Sequence, residues 1–399
     1  MTKQISNHIE FLDAMADAID IPTKLHEKAI DRYNSIGEYF QRPTSGIFDR
    51  DPVTYPQGSF LLGTVIRPVG DADEFDLDIV CQVQGSDNEL TQEELKQLVG
   101  IEVNDYASAN GIAKSPKDGR RCWTIEYSKS EKFHMDILPA LPNAHRYREF
   151  LIEKGHVGLG ADVELTENAL AITDKEHENY ASITNDWLIS NPRGYAAWFR
   201  QQQSAEFDRR KSLLVEDRQF ASVDEVPDYR VKTPLQRAIQ LLKRHRDTMY
   251  GDDPDKPISI IITTLSAQAY SGEQNIGDAL RTILTDMDKH IADEGSVRYV
   301  RNPVNPEENF ADKWEEFPAR EKEFHRWLKA AQTDFSHYFR RPYDSVPSDL
   351  VERLTQNTFD KVSPLMALAS PTVVSPKEVA SKEVDYITEH GGNSKPWQG

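Results

Sequence analysis

Apolar residues at the start of the chain repeat at helical spacing. The first stripe comprises Ile9, Phe11, Leu12, Met15 and Ile19, and the second, after Pro22, comprises Leu25, Ala29, Ile30, Tyr33, Ile36 and Phe40. Residues three or four positions apart share one face of a helix, and proline is favoured in a first helical turn. The pattern predicts two amphipathic helices. The stretch from Pro43 to Pro56, rich in Pro, Asp and Gly, predicts a loop.

The pattern then changes to short apolar runs with alternating polar positions. Residues 75–83, 124–127 and 133–138 are predicted strands, with 91–98 and part of 103–111 as helices between them. Such a mixture predicts an α/β unit with a central sheet.

From Pro192 onward helical patterns dominate. Thr233-Pro-Leu-Gln236 is a capping box with proline at the first helical position, and Pro257 precedes a strongly apolar helix. Further helices are predicted over 276–290, 314–338 and 347–354.

The elements predict an α+β protein of four parts. We expect N-terminal helices bracing both lobes over 1–56, a catalytic core over 57–190, a helical lobe over 191–374 and a flexible tail over 375–399.

Charge narrows the class of substrate. The 399 residues include 47 Lys and Arg against 66 Asp and Glu, a formal net charge of −19. Such a surface repels long nucleic acids, because polyanion binding is driven by cationic side chains that displace counterions. The balance favours small nucleotides brought in with Mg²⁺ and argues against direct DNA binding.

Composition also predicts the compartment. No apolar run approaches a membrane span, and the first residues lack the apolar core of a secretory signal, so we expect a cytoplasmic protein without membrane contact. Cys81 and Cys122 are the only cysteines, which excludes a cysteine-based zinc ribbon or a disulfide framework.

Three acidic residues carry the candidate chemistry. Asp76 and Asp78 alternate with Phe75, Leu77 and Ile79, so both carboxylates point to one face of a strand while the apolar residues enter a core. Asp136 occupies the same kind of position in the strand over 133–138. Clustered carboxylates repel one another unless cations neutralise them, and hard oxygen ligands suit Mg²⁺. The spacing therefore predicts a two-metal phosphoryl-transfer site.

A glycine-serine pair completes the pattern. Gly58 and Ser59 precede a short apolar segment that could start a helix, 17 residues before Asp76. Glycine lets the backbone approach a phosphate closely, and amides at a helix start favour anions.

The order of motifs resembles the polymerase-β-type nucleotidyltransferases, and within them the cGAS/DncV-like nucleotidyltransferases (CD-NTases) of bacterial CBASS anti-phage systems, relatives of the oligoadenylate synthetases. The resemblance extends over about residues 20–340. It is carried by Gln-Gly-Ser at 57–59, Asp-Leu-Asp at 76–78, Met-Asp-Ile-Leu-Pro at 135–139, Asn-Pro-Arg-Gly-Tyr-Ala-Ala-Trp-Phe at 191–199, Leu-Lys-Arg-His-Arg-Asp at 242–247 and Asn-Pro-Val-Asn-Pro-Glu-Glu-Asn at 302–309.

The resemblance implies a polymerase-β-like lobe with a mixed sheet and a helical, oligoadenylate-synthetase-like lobe. It also implies that Asp76, Asp78 and Asp136 are the catalytic metal ligands for two Mg²⁺ ions, with Mn²⁺ as a possible substitute. Asp136 would also help deprotonate the acceptor hydroxyl.

The implied nucleotide-binding residues are Gln57, Gly58, Ser59, Lys243 and Ser259. Gly58 and Ser59 would hold the donor triphosphate, Lys243 would grip it with help from Ser259, and Gln57 would read the bound nucleotide.

Structural roles compete with several of these assignments. Asp76 and Asp78 could be a solvated strand end, Lys243 a lysine that extends from a buried helix face, and Ser259 a helix cap. Gln57 could be a turn residue.

Nearby candidates are set aside. Asp71, Asp73 and Glu74 lie close by, but only Asp76 and Asp78 alternate with core-type residues. The glycines within 155–162 follow no apolar strand and predict a plain loop.

Three functions remain open at this point. The first is synthesis of a cyclic di- or trinucleotide messenger from ATP, with GTP or another NTP as a further substrate. The second is a linear oligoadenylate synthase or an RNA terminal nucleotidyltransferase, and the third is a non-catalytic nucleotide-binding scaffold. The resemblance also suggests that an E1/E2-like partner conjugates the C-terminal Gly399.

Overall fold

The computed structural model describes residues 5–70, 75–127, 133–217, 219, 222–223, 226–295 and 297–366. Its strands are β1 (Val53–Pro56), β2 (Phe75–Gln82), β3 (Lys117–Asp118), β4 (Trp123–Glu126), β5 (Phe133–Pro142), β6 (Leu170–Ile172), β7 (Leu188–Ser190), β8 (Ala292–Glu294), β9 (Val297–Tyr299), β10 (Arg301–Asn302) and β11 (Asn305–Asn309). Its α-helices are α1 (His8–Ile19), α2 (Thr23–Phe40), α3 (Gly58–Leu61), α4 (Gln92–Ala109), α5 (Ala144–Glu153), α6 (Val157–Ala161), α7 (Val163–Thr166), α8 (Pro192–Glu216), α9 (Pro234–Tyr250), α10 (Ser259–Ala269), α11 (Ile276–Asp286), α12 (Lys313–Glu316), α13 (Pro318–Phe339), α14 (Ser348–Leu354) and α15 (Gln356–Val362). A membrane crossing would need a longer and more apolar helix than any found in these ranges.

A mixed seven-stranded sheet forms the first half of the fold. Its main order is β1-β2-β5-β4-β3, with β6 beside the end of β5 and β7 beside β6. β2 and β5 run parallel, whereas β1 pairs antiparallel with β2 and β4 pairs antiparallel with β5. The parallel pair at the centre brings the two acidic strands side by side.

The predicted alternation along β2 and β5 is confirmed. Phe75, Leu77 and Ile79 of β2 are buried, whereas Asp76 is exposed and Asp78 is half-buried. The buried side chains pack with those of β5, α2 and α4 in one apolar cluster. Burial of one strand face therefore holds the acidic face in a single orientation.

A second apolar core lies among the helices. α9 packs against α1, α10, α11, α13 and α14, and most of its residues are buried. α1 joins this helical core, whereas α2 packs on the sheet. The domain boundaries at 56, 190 and 374 stay a prediction.

Two elements differ from the predicted ones because of tertiary contacts. The predicted loop before Pro56 contains β1, whose residues pair with Ile79–Gln82 of β2. α4 is one continuous helix across Gly100, where a Cβ would collide with the Trp123 ring. Glycine is required there because an aromatic ring occupies the space of a side chain.

Further differences are local. Residues 155–162, predicted as a plain loop, contain α6, and the helix predicted after Pro257 begins at Ser259. The helical half also contains two antiparallel pairs, β8 with β9 and β10 with β11, which the helical periodicity did not indicate.

The predicted capping box at the start of α9 is present, and its contribution to stability can be measured. The Thr233 Oγ1 accepts from the Gln236 amide at 3.2 Å, and the Gln236 Oε1 accepts from the Thr233 amide at 3.0 Å. We expect Thr233→Ala to lower the free energy of unfolding by about 1–2 kcal/mol, because a buried helix end loses its hydrogen-bond partner. Thr233→Ser keeps the hydroxyl and should stay close to wild type in a calorimetric melt. Equal melting of the two variants would contradict the role of the cap.

Candidate active site

The three predicted acids come together through strand register. Asp78 of β2 lies directly beside Asp136 of β5, and Asp76 lies beside His134. Neighbouring strands are about 4.8 Å apart, and laterally paired residues of parallel strands face the same side. Asp76, Asp78 and Asp136 therefore share one face at the centre of the sheet.

Side-chain hydrogen bonds hold the two outer carboxylates. The His134 Nε2 lies 2.9 Å from the Asp76 Oδ1. The Thr124 hydroxyl of β4 donates to the Asp136 Oδ1, across the antiparallel pair that sets Thr124 opposite Asp136. Sequence analysis missed both partners. His134 could have been found because it lies two residues before Asp136 and therefore on the same face of the strand, whereas the position of Thr124 depends on the β4–β5 register.

Asp78, the central acid, has a strongly raised pKa. Burial, followed by the charges of Asp76 and Asp136, raises the pKa of Asp78 to about 7. The hydrogen bond from His134 instead lowers the pKa of Asp76 below its ordinary value. A half-buried carboxylate between two others is costly when ionised, so the site gains free energy from a bound cation.

The glycine-serine turn lies against the acidic strand. The Gln57 amide donates to the Asp78 carbonyl at 2.8 Å, and α3 begins at the next residue. Gly58 has a φ of +60°, and a Cβ on it would lie 2.7 Å from the Asp78 Oδ2. Only glycine meets both conditions, so the turn and the carboxylate are in van der Waals contact.

Side chains of α9 bind the backbone that follows this turn, here called the 62–68 segment. The Gln236 and Gln240 side-chain amides donate to the carbonyls of Leu62 and Val65, each at 2.9 Å. The Lys243 Nζ donates to the Thr64 carbonyl at 3.0 Å. α9 thus fixes the helical half to the segment that joins the turn to β2.

Lys243 and Ser259 approach from the helical half. Lys243 is 6% exposed, and burial, followed by the charge of Arg246, lowers its pKa to about 8. Ser259, at the start of α10, accepts from the Arg246 Nη1 at 3.0 Å. Arg246 also forms an ion pair with Asp247 at 2.6 Å. Ser259 is therefore bonded to Arg246, a residue to which the sequence analysis assigned no role.

A cavity of about 1000 Å³ lies between the sheet and the helical half. Of the predicted site residues, Gly58, Ser59, Asp76, Asp78, Lys243 and Ser259 line it. The described lining does not include Gln57 or Asp136, which reach the site through the contacts with Asp78 given above. The volume is at the upper end of the range for small-ligand sites, about 300–1000 Å³, and it suits nucleotides.

The donor set fits divalent cations with oxygen ligands. Asp76, Asp78 and Asp136 supply carboxylates, and the charges of His134 and Lys243 offset the raised pKa of Asp78 only in part. Within residues 5–366, apart from the gaps given above, no group of three or more His, Cys, Asp or Glu side chains is arranged so that it could hold a metal ion.

Known proteins resemble this chain in sequence. Residues 52–139 match the family model described as Cyclic GMP-AMP synthase DncV-like, nucleotidyltransferase domain. A c-di-GMP synthase of Roseivirga ehrenbergii is 30% identical over 317 residues, which cover 78% of this chain and 74% of the relative. The cyclic dinucleotide synthase CdnG of Bradyrhizobium diazoefficiens is 26% identical, over 79% of this chain and 72% of the relative.

Solved structures share the fold. CdnG of Bradyrhizobium diazoefficiens in complex with GTP gives a TM-score of 0.67 at 22% identity, over 89% of this chain and 97% of that one. The cyclic AMP-GMP synthase DncV of Vibrio cholerae gives 0.56 at 13% identity, over 92% and 100%.

The fold and the site define a nucleotidyltransferase of the polymerase-β-like class. The chain belongs to the DncV-like CD-NTase family, the family that the sequence motifs indicated. It is an enzyme of the cyclic nucleotide synthase group, and nucleotidyltransferases of this kind typically need divalent metal ions.

Gly58 supplies a test of the contact between the turn and the acid. We expect Gly58→Ala to reduce kcat at least about 100-fold, because the new methyl group displaces the Asp78 carboxylate from its reactive position. Gly111 is a matched control: its φ is +63°, and a Cβ there meets nothing within 4 Å. Gly111→Ala should carry the same backbone strain, about 1–2 kcal/mol, with normal turnover. Similar activity of the two variants would contradict the contact.

The raised pKa of Asp78 predicts that its charge destabilises the metal-free protein. The pKa rises from 3.8 to about 7, so the ionised form carries a full penalty at pH 8 that disappears as the pH falls toward 4. We expect Asp78→Asn to raise the melting temperature at pH 8 in the presence of a chelator, with the gain shrinking between pH 7 and pH 4. Asp76→Asn should give no gain, because the pKa of Asp76 is lowered. A pH-independent effect of Asp78→Asn would contradict the electrostatic account.

Proposed function

We propose that the enzyme condenses ribonucleoside triphosphates, GTP among them and ATP as a further substrate, into a cyclic dinucleotide messenger for anti-phage defence in the cytoplasm. The observation that carries the proposal is the Asp78–Asp136 register, with Gly58 in contact with Asp78 and Lys243 lining the same cavity. The relatives named as c-di-GMP synthase and CdnG support a cyclic guanine-containing product.

In this proposal the donor triphosphate lies along the glycine-serine turn. The backbone at Gly58 and the hydroxyl of Ser59 hold its phosphate oxygens, and Lys243 neutralises charge from the opposite wall. Burial of Lys243 strengthens that attraction, because little solvent screens it. Gln57 is assigned to reading the nucleotide, and Ser259 to orienting Arg246 toward the phosphates.

The three acids are assigned to two Mg²⁺ ions, with Mn²⁺ as a substitute. When bound, the ions activate the attacking hydroxyl and stabilise the leaving pyrophosphate. Asp78, which lies between the other two acids, would hold the ions together with them. Asp136 accepts the proton of the acceptor hydroxyl, and the Thr124 hydroxyl holds it in position for that transfer.

The acceptor is a second nucleotide in this proposal. A net charge of −19 opposes a long RNA acceptor, whereas a nucleotide fits a cavity of about 1000 Å³. Conjugation of Gly399 by an E1/E2-like partner stays a prediction, since residues 367–399 lie outside the described part of the chain.

A product assay tests the proposal. The enzyme is incubated with the four NTPs and Mg²⁺ or Mn²⁺, treated with phosphatase and analysed by mass spectrometry. We expect a phosphatase-resistant product containing guanine, and Asp76→Ala or Asp78→Ala should abolish it while the melting curve stays cooperative.

Asp105→Ala provides the control, because Asp105 is an exposed acid on α4 away from the cavity. A ladder of phosphatase-trimmed products would show linear synthesis instead, and wild-type rates in either catalytic variant would refute the site assignment.

A further inference from the structure

A second, smaller cavity of about 250 Å³ lies behind the 62–68 segment. Residues of α1 and α2, of α9 and of the α14–α15 junction line it together with Arg67, Pro68 and Val69. Arg67 to Val69 and Phe75 also line the catalytic cavity, so one stretch of chain separates the two spaces.

The lining of this cavity is cationic in a protein of net charge −19. Arg67, Arg244 and Lys361 line it, and none of its described lining residues is acidic. None of these three cations forms an ion pair with a carboxylate of the described residues.

One of the three cations, the Arg244 guanidinium, is also shielded from water. The residue is 3% exposed, and burial lowers its pKa below the ordinary value. Its Nη2 donates to the carbonyl oxygens of Arg67 and Pro68, whereas its Nε is buried without a hydrogen-bond partner among the described residues. The charge of Asp247 offsets part of this desolvation, but a buried Nε–H without an acceptor is costly, and a bound anion would supply that acceptor.

The α14–α15 junction contributes neutral polar groups to the cavity and contains a strained backbone conformation. Thr355, Asn357 and Thr358 line the cavity, and the Thr355 and Thr358 hydroxyls are hydrogen-bonded to each other at 2.8 Å, which leaves one hydroxyl proton for a ligand. Thr355 has a φ of 70°, a conformation that a β-branched residue rarely adopts. Such strain costs on the order of 1–3 kcal/mol and occurs preferentially at ligand sites and switch regions.

The number of donors selects the class of anion. A carboxylate has a single charge and two oxygens, whereas a phosphate monoester carries nearly two charges and three terminal oxygens. Three cations with hydroxyl and amide donors match the phosphate better, and guanidinium groups suit phosphate geometry. Ile21, Leu25 and Phe75 add an apolar surface for the rest of the ligand.

We propose that this cavity binds a small phosphate monoester with an apolar body and that its occupancy changes nucleotide binding in the catalytic cavity. Lys243 and Arg244 are consecutive on α9 and hold the two ends of the same segment, through the carbonyls of Thr64 and Arg67. A ligand on Arg244 therefore acts on the backbone that lines the catalytic cavity. The effect on nucleotide binding rests on the proposed function, whereas the binding of a phosphate monoester does not.

Phenyl phosphate is the probe for binding. It is titrated calorimetrically into the full-length, metal-free protein with a chelator, because the unneutralised acids then repel phosphate from the catalytic cavity. We expect saturable binding that is at least tenfold tighter than that of inorganic phosphate, with no binding of phenol.

Lys361→Glu should weaken phenyl phosphate at least tenfold, since it reverses an exposed charge at the cavity. Lys329→Glu makes the same change at an exposed position of α13 and should leave binding unaltered. No binding to the wild type, or equal binding to both variants, would overturn the proposed site.

Kinetics test the coupling. With saturating phenyl phosphate we expect the KM for GTP to change at least threefold in the wild type and in Lys329→Glu, but not in Lys361→Glu. An unchanged KM in the wild type would overturn the regulatory part. A protein that binds phenyl phosphate but makes no nucleotide product would refute the proposed function and leave the binding site standing.

Discussion

Repulsion among three neighbouring carboxylates is the constraint around which this fold is arranged. Asp78 lies between Asp76 and Asp136, and its pKa is raised to about 7 by burial and by their charges. The free energy that keeps the acids together comes from the other face of the same strands, where Leu77, Ile79 and their neighbours are fully buried. The apolar core thus holds a charge arrangement that would separate in a free chain.

The neighbours of the three acids differ in the contacts that they make with each carboxylate. Thr124 and His134 each hold one outer carboxylate, so the central one is the least compensated. Gly58 is in contact with that central group, which leaves no space for a larger residue. In the proposed function such a site trades stability for activity, because the charge that destabilises the protein is the charge assigned to cation binding.

Helix α9 links the two halves of the molecule. Gln236, Gln240, Lys243 and Arg244 all donate to the backbone between the glycine-serine turn and the acidic strand. Because α9 is buried on most sides, these bonds are shielded from water and hold the segment firmly. Adjacent residues of the helix face different spaces: Lys243 lines the catalytic cavity and Arg244 the smaller cationic one.

The sequence by itself determined the candidate acids, because alternation along a strand depends only on local geometry. The class of fold and the enzyme family were indicated by the resemblance of its motif order to a known family. Asp76, Asp78 and Asp136 could be chosen since each interrupts an apolar run at a position of period two. The capping box at Thr233 could be predicted for the same reason, as its bonds join residues three apart. Roles of the individual site residues stay predictions.

Only the tertiary structure decided which distant residues meet. Strand β1 was missed because its hydrogen bonds come from β2, and Thr124 because its partner depends on the β4–β5 register. The basic run at 244–246 gave no sign that Arg244 lines a separate cavity, that His245 pairs with Asp334, or that Arg246 binds Ser259. Consecutive helical residues point about 100° apart, so their partners are set by the elements packed on each side, which the local pattern does not specify.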